Sequence, residues 1–525
     1  MTKSMSKIWS NLVFTVSAVI IAAFAIIGGV IPDWFGKVAN SSFSIITEYF
    51  GWFFLLSVFV ITLFLIGLVV SKYGGIRLGG EKERPEFPFF SWVGMLFSAG
   101  FGVGLVFWGV AEPMSHFYTP PFSDLEGLTV QSARVAMGYA FFHWGISQWA
   151  IFAMVGLVIA FLQFRKQKNS LISTALEPVT GSRPITRNTI DSLSVIATVM
   201  GIATSIGLGV MQLDGGLSYV FGIQSSNWIQ LLLIVVIFLL YMLSTTSGVY
   251  KGMKYLSNLN LGLAIGMLLF VFVTGPTVFI LETFTLGLGD YLSNYISYSL
   301  RLQPYRGGTW IRDWTIFYWA WAIAWSPYVG AFIARVSKGR TIREFVLGVM
   351  IIPPVIACFW IATFGGTALW FDLKRNTSIA EAVHSDVTTA LFEVLQHLPL
   401  TTIISVISMV LILIFLVTSA DSATYVLSSM TSNGSLNPPK FIKFVWGGLM
   451  SIIAGVLLYT GGLEALQTAS LVAALPFTVI LLLLIISMSK LLRHEPLPVR
   501  KVDVKRFRQL EAAAKREQEK KNKEK

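Results

Sequence analysis

Read for its alternation of apolar and polar positions, the chain divides into long apolar runs joined by short polar links. Twelve runs approach or exceed the ~20 residues that a membrane-crossing helix needs. They lie near 11–32, 50–71, 89–110, 135–163, 190–212, 228–247, 256–282, 313–335, 344–370, 400–430, 442–461 and 465–490. Each is continuously apolar, whereas barrel strands alternate over about 10 residues. The predicted fold class is therefore an all-α polytopic membrane protein with 12 transmembrane helices. Ala23-Phe24-Ala25 looks faintly like a signal-peptidase site, but the apolar run continues past it, so an uncleaved helix is expected. The segment 291–312 is too polar to span and is expected to lie along the outer interface as an amphipathic helix.

Composition agrees with this pattern. Of 525 residues, 54% are apolar or aromatic and 13% are charged, about half the charge of a soluble domain. A soluble enzyme and a disordered chain are excluded. With one cysteine, so is a disulfide scaffold. If both ends are cytoplasmic, the outer segments hold only Lys37, Arg134, Arg301, Arg306, Arg312, Lys374 and Arg375, which leaves 32 of the 39 basic residues inside. That asymmetry orients the chain with N- and C-termini in the cytoplasm. The net charge of +12 is thus mostly topogenic. Residues 502–525 read as a charged helix at the inner face, solvated or in contact with anionic lipid. Nucleic acid is not an expected partner, because the tail lacks aromatic platforms.

Helix breakers point to the functional region. The third run contains Ser98-Ala99-Gly100-Phe101-Gly102-Val103-Gly104, and the eighth contains Trp325-Ser326-Pro327-Tyr328-Val329-Gly330. Irregular backbone at mid-membrane is tolerated only where it lines a cavity. Gly100 and Gly104 have the spacing of a helix-packing face, but Gly102 lies on the opposite side, which favours unwinding over packing alone. The two runs are five apart. A pair of interrupted helices so placed suggests a five-plus-five inverted repeat, spans 3–7 and 8–12, with two additional N-terminal helices.

Along the eighth run, Trp314, Tyr318, Trp321, Trp325 and Tyr328 cover an arc of roughly 80°. The fourth contributes Trp144, Trp149 and Phe152. Several tryptophans converging on a glycine-broken helix suggest an aromatic cage for a methylated ammonium, since the third, fourth and eighth runs hold no Asp or Glu in their apolar centres. A carboxylate on the same ligand would meet backbone N–H groups freed around Gly100, Gly102 and Gly104. The tenth run carries Thr418-Ser419-Ala420-Asp421-Ser422 at membrane depth. Thr418 and Ser419 suit sodium ligation or bonding within their own helix. Asp421 is functional by default, with a proton-coupling role competing. An enzyme is not expected, for the chain has no phosphate-binding Gly-x-x-x-x-Gly-Lys loop and no His-Glu-x-x-His pair. His143 is expected to bond a neighbouring helix rather than a metal.

These residues, with Gly109-Val110-Ala111-Glu112-Pro113, Asp313 to Trp321 and Arg340-Thr341-Ile342-Arg343-Glu344-Phe345, resemble the betaine/choline/carnitine transporter family, over about residues 10–490. Within it, the chain looks most similar to the sodium-coupled glycine betaine transporters of bacteria. The resemblance implies a LeuT-like fold, alternating access, sodium symport, a homotrimer, and a plasma-membrane role in osmoprotection with no organic cofactor. It divides the chain into 1–88 (two additional spans), 89–282 (first repeat), 283–312 (interfacial segment), 313–490 (second repeat) and 491–525 (basic tail). By motif, Trp144, Trp149, Phe152, Trp321 and Trp325 would form the substrate box. Ser98, Phe101, Phe415, Thr418 and Ser419 would hold one sodium ion. Thr198 and Tyr328 would help with a second, a site weakened by Ile202 where the family pattern has a threonine. Ala322 and Phe152 also depart from that pattern, which has tryptophan and tyrosine there. Choline, carnitine or another onium compound is the alternative substrate; a channel or osmosensor is the alternative class.

Overall fold

A computed structural model describes residues 11–100, 102–247, 250–305, 307–497 and 509–515; at 97–100, 246–247 and 250–254 only the backbone is described. Regular structure among these residues is helical apart from one bridge pair, Arg77 with Thr341. Among the described residues, ten helices are long and apolar enough to cross a membrane. The last of them, Lys440–Arg493, turns at Gly461 and Gly462, where Gly462 has φ 54°, and so holds two crossings. The third run, split into two shorter helices, supplies the remaining one. Twelve crossings result, as the hydropathy pattern predicts. Of the charged tail, 509–515 is an exposed helix, and the other residues after 497 lie outside the described part.

The breaks fall partly where the sequence places them. The third run is helical over Phe89–Gly100 and Val103–Tyr118, with extended backbone at Gly102 between. The eighth differs from expectation: its helix runs unbroken over Phe317–Val336, through Pro327. Proline removes one backbone donor, which would orphan the Ile323 carbonyl. The Ser326 hydroxyl donates to that carbonyl at 2.8 Å, so the helix continues without a break. The irregular turn lies earlier, at Arg312–Ile316.

The fourth run carries a break that the sequence reading misses. Helices Val130–His143 and Ile146–Ala160 meet at Trp144 and Gly145. The freed Ile146 N–H donates to the Tyr291 hydroxyl at 2.8 Å, and Ser147 hydrogen-bonds Tyr295 at 2.9 Å. Both tyrosines lie on the helix Thr277–Ser299. This is the amphipathic segment expected at 283–312, which begins earlier because Gly275 and Pro276 end the seventh span at Thr274. Arg134 pairs with Asp290 through two bonds of 2.6 and 2.7 Å, so this helix clamps the broken fourth span.

Spans four and eight cross closely. A Cβ on Gly330 would sit 2.7 Å from Val155 and 3.0 Å from the Gly156 nitrogen, a contact only glycine permits. On the side where span eight ends, Arg340 to Phe345 tie two loops together. Leu78 N–H donates to the Arg340 carbonyl at 2.8 Å, and Thr341 and Glu344 form a reciprocal cap on the ninth span. Glu495, just after the last span, ion-pairs with Arg165 (2.9 Å) and Lys166. Burial pushes its carboxyl up, but hydrogen bonds and charge from the two cations outweigh burial and hold it below the ordinary carboxylate range.

Candidate functional site

Where the third span restarts, its first residues face the middle of the bundle. Gly102, Val103, Gly104 and Leu105 line a small cavity with Trp144, Gln148, Trp321, Trp325 and Ser419. A helix start presents unpaired backbone N–H groups and the positive end of the helix dipole, an environment suited to a carboxylate. Indole faces opposite suit a cation. One cavity therefore offers complementary ends to a zwitterion.

The indoles are buried, with Trp144 and Trp321 4% exposed and Trp325 8% exposed. They also touch one another. Trp144 and Trp321 have ring centroids 6.2 Å apart at 85°, and Trp321 and Trp325 are 6.2 Å apart at 27°. These are the spacings of packed aromatic pairs. The space left among them is ≈ 20 Å³, room for a water and not for a methylated ammonium head. Trp321 closes the box: a Cβ on Gly104 would lie 2.3 Å from its Cη2. A methylated ammonium head would fit here only if this ring moved.

Trp149 and Phe152 do not line the cavity. Phe152 packs edge-on against Trp325 at 6.0 Å, and Trp149 packs behind Phe152 at 5.6 Å. They form a second layer behind the Trp325 ring. The expected span-eight stripe is present as a ladder, from Trp314 through Tyr318, Trp321 and Trp325 to Tyr328, with steps of 5.8–6.4 Å.

The candidate sodium ligands are described in part. Phe101 lies outside the described residues, and Ser98 and Gly100 are described only as helical backbone. Thr418 donates to the Ile414 and Phe415 carbonyls at 2.8 and 3.2 Å, so its proton is held within its own helix. Ser419 opens onto the central cavity. Thr198 likewise donates to Ser194 at 2.8 Å, while Tyr328 lies in a separate cavity of ≈ 430 Å³ with Asp421, Arg335 and Lys443. Asp421, whose partner the sequence leaves open, accepts from Ser244 at 2.9 Å and from Thr245.

The main residue missed from the sequence is Glu112. The hydropathy run ends at 110, yet the helix continues to Tyr118 and carries Glu112 and His116 into the bundle, both fully buried. Glu112 is thus a buried carboxylate just beyond the third run, although no carboxylate is among the residues that line the central cavity. Its Oε2 accepts from Trp144 Nε1 at 2.9 Å and from the Tyr318 hydroxyl at 2.5 Å. Its Oε1 bonds His143 Nδ1 at 2.6 Å and His116 Nε2 at 3.2 Å. His143 reaches Thr315 with its other nitrogen at 2.9 Å, so it bonds neighbouring helices as expected. Glu112, His116 and His143 have the residue types of a metal site, but the facing ligand atoms already bond one another. The geometry is that of a hydrogen-bonding hub. It holds Trp144, which lines the central cavity, and its His116 packs against Trp310 and Trp314, which with Trp108 line a ≈ 700 Å³ cavity.

Comparison with known proteins adds to this geometry. The family model described as BCCT, betaine/carnitine/choline family transporter, matches residues 12–497. An ectoine/hydroxyectoine transporter of Virgibacillus pantothenticus is 60% identical over 483 residues, covering 92% of this chain and 96% of that one. The glycine betaine transporter OpuD of Bacillus subtilis is 46% identical over 497 residues, covering 94% and 96%. A probable glycine betaine transporter of Desulfitobacterium hafniense is 44% identical over 491 residues, covering 92% and 98%. With a broken third span, converging indoles and a family match over nearly its whole length, this chain belongs to the betaine/carnitine/choline family of membrane transporters.

Proposed function

We propose that the protein imports a compact zwitterionic osmolyte, of the kind represented by glycine betaine and ectoine, across the plasma membrane by sodium symport. The observation that carries this reading is the opposition, in one buried cavity, of the helix start at Val103 and the indoles of Trp144, Trp321 and Trp325. A carboxylate suits the first and a cationic nitrogen the second. Choline lacks the carboxylate and would leave the helix start unused. Larger cavities of ≈ 700 and ≈ 430 Å³ flank the small central one, an arrangement suited to alternating access. Glycine betaine is the substrate that the cage pattern suggests, and the name of the 60%-identical relative sets ectoine beside it. Sodium coupling draws on the Ser419 hydroxyl at the cavity and Thr418 one residue before it.

Uptake of labelled glycine betaine and ectoine into proteoliposomes, with and without an inward sodium gradient, tests the proposal. Concentrative, gradient-dependent uptake of either solute is expected. Equal uptake without the gradient would refute sodium coupling. Accumulation that never exceeds the external concentration would favour a channel.

A further inference from the structure

Three side chains lining the central cavity carry buried polar atoms without a partner among the described residues. They are Trp321 Nε1, Trp325 Nε1 and Gln148 Oε1. Each residue is more than nine-tenths buried. Native interiors seldom leave such groups unmet, so a cluster of three at one cavity marks what its ligand must supply. An indole N–H only donates, and an amide carbonyl oxygen only accepts. The missing ligand must therefore accept twice and donate at least once.

The Cη2 edges of both indoles lie against Gly102 and Gly104, so a carboxylate at the helix start can accept from the indole N–H groups and leave the ring faces to the cation. The remaining acceptor separates possible cations. A quaternary ammonium bears no N–H and would bury Gln148 Oε1 against methyl groups. A protonated nitrogen satisfies it. Among such cations, a primary ammonium brings three N–H groups into a cavity whose described lining has no carboxylate. A cyclic amidinium brings fewer, and it is flat. The neighbouring surfaces are flat as well: Trp321 and Trp325 lie at 27° to each other, and Phe317 is stacked on Trp321 at 3°. Gln148 lies in the first turn of the helix that restarts the fourth span at Ile146, and its side chain lines the cavity.

We infer that Gln148 is a specificity-determining residue that accepts an N–H from the substrate, so that this site prefers a cyclic amidinium carboxylate to a fully methylated ammonium. The inference rests on the proposed import of a zwitterion and narrows its substrate class.

Transport of ectoine, a cyclic amidinium carboxylate, and of glycine betaine is measured in the same proteoliposomes for the unaltered chain, Gln148→Met and Gln148→Glu. The unaltered chain is expected to have the lower KM for ectoine. Loss of a hydrogen bond to a charged group predicts that Gln148→Met raises the ectoine KM about 10-fold more than the betaine KM. Gln148→Glu, which keeps an acceptor, is expected to retain the preference for ectoine. Equal shifts for both solutes in Gln148→Met, or a betaine preference in the unaltered chain, would overturn the inference. Betaine uptake without ectoine uptake sinks the role of Gln148 alone, whereas uptake of neither solute sinks the transport reading beneath it.

Discussion

Replacing Glu112 by alanine removes the acceptor shared by four side chains. Trp144 Nε1 and the Tyr318 hydroxyl would lose their partner in a fully buried setting. Each unmet donor costs about 1–3 kcal/mol, so this pair alone predicts a loss of about 2–6 kcal/mol, less whatever the removal of a buried charge returns. The substrate would sense the loss through Trp144. If that indole turns from its place, one desolvated cation–π contact disappears, about 2 kcal/mol. That corresponds to a roughly 30-fold rise in KM. Glutamine is a sharper probe. It keeps one oxygen for Trp144 and Tyr318 and can turn its NH2 towards His143, whose Nδ1 can serve as acceptor when its proton sits on Nε2. Glu112→Gln should therefore stay within a few-fold of the unaltered KM, while Glu112→Ala loses both thermal stability and affinity. Uptake kinetics and thermal unfolding of the purified variants read out the two effects. A normal KM in well-folded Glu112→Ala would show that the hub does not set the box. If glutamine were as damaging as alanine, the charge rather than the acceptor geometry would be the operative feature.

Trp325→Leu removes a cage face and should raise KM at least ~10-fold with normal membrane insertion; an unchanged KM would remove Trp325 from the box. Gly104→Ala places a methyl 2.3 Å from the Trp321 ring and should abolish transport or raise KM sharply, whereas Gly94→Ala, with nothing within 4 Å, should transport normally. Equal behaviour of the two glycine variants would refute the close ring contact. The Glu495 pairing has a defined pH sense. Because its carboxyl is depressed in the folded chain, the ion pairs contribute fully above the ordinary value near ~4.3 and are lost as pH falls through the folded value. Hydrogen exchange at 494–497 should be as slow at pH 5 as at pH 7, after correction for intrinsic rate. Glu495→Gln should speed it at pH 7, and no change in that variant would count against the ion pairs.

Most of the fold is legible in the sequence because the membrane imposes a simple rule. Apolar length reports crossings, and the alternate glycines at 100, 102 and 104 report where the third helix must open. Illegible features depend on partners supplied from elsewhere in the chain. Pro327 reads locally as a breaker, yet a single hydroxyl, that of Ser326, answers the orphaned carbonyl. Trp144 and Gly145 give no strong local signal, and their break is stabilised by the tyrosine at 291 from a distant helix. Glu112 is the clearest case. A hydropathy scan treats a carboxylate as the end of a span because burying one alone is costly. Here four donors surround it, one from its own helix and three from spans four and eight. The same carboxylate that ends the run in sequence therefore fixes the indole of Trp144 in space.

The state of the box follows from packing rather than pattern. An indole stripe at helical spacing states which rings share a face, not how far apart they stand across a cavity. Rings 6.2 Å apart satisfy one another and leave ≈ 20 Å³, so entry of the proposed substrate would exchange ring–ring contacts for ring–cation contacts. Trp144 is held by Glu112, whereas the indole nitrogens of Trp321 and Trp325 have no partner among the described residues. The rings of span eight are therefore the ones free to yield, with Trp144 as the fixed wall. Tryptophan fluorescence of Trp144→Phe and Trp321→Phe variants distinguishes the two roles. The ligand-induced change should survive in the first and be mostly lost in the second, and the opposite assignment would show that the Glu112 hub moves on loading.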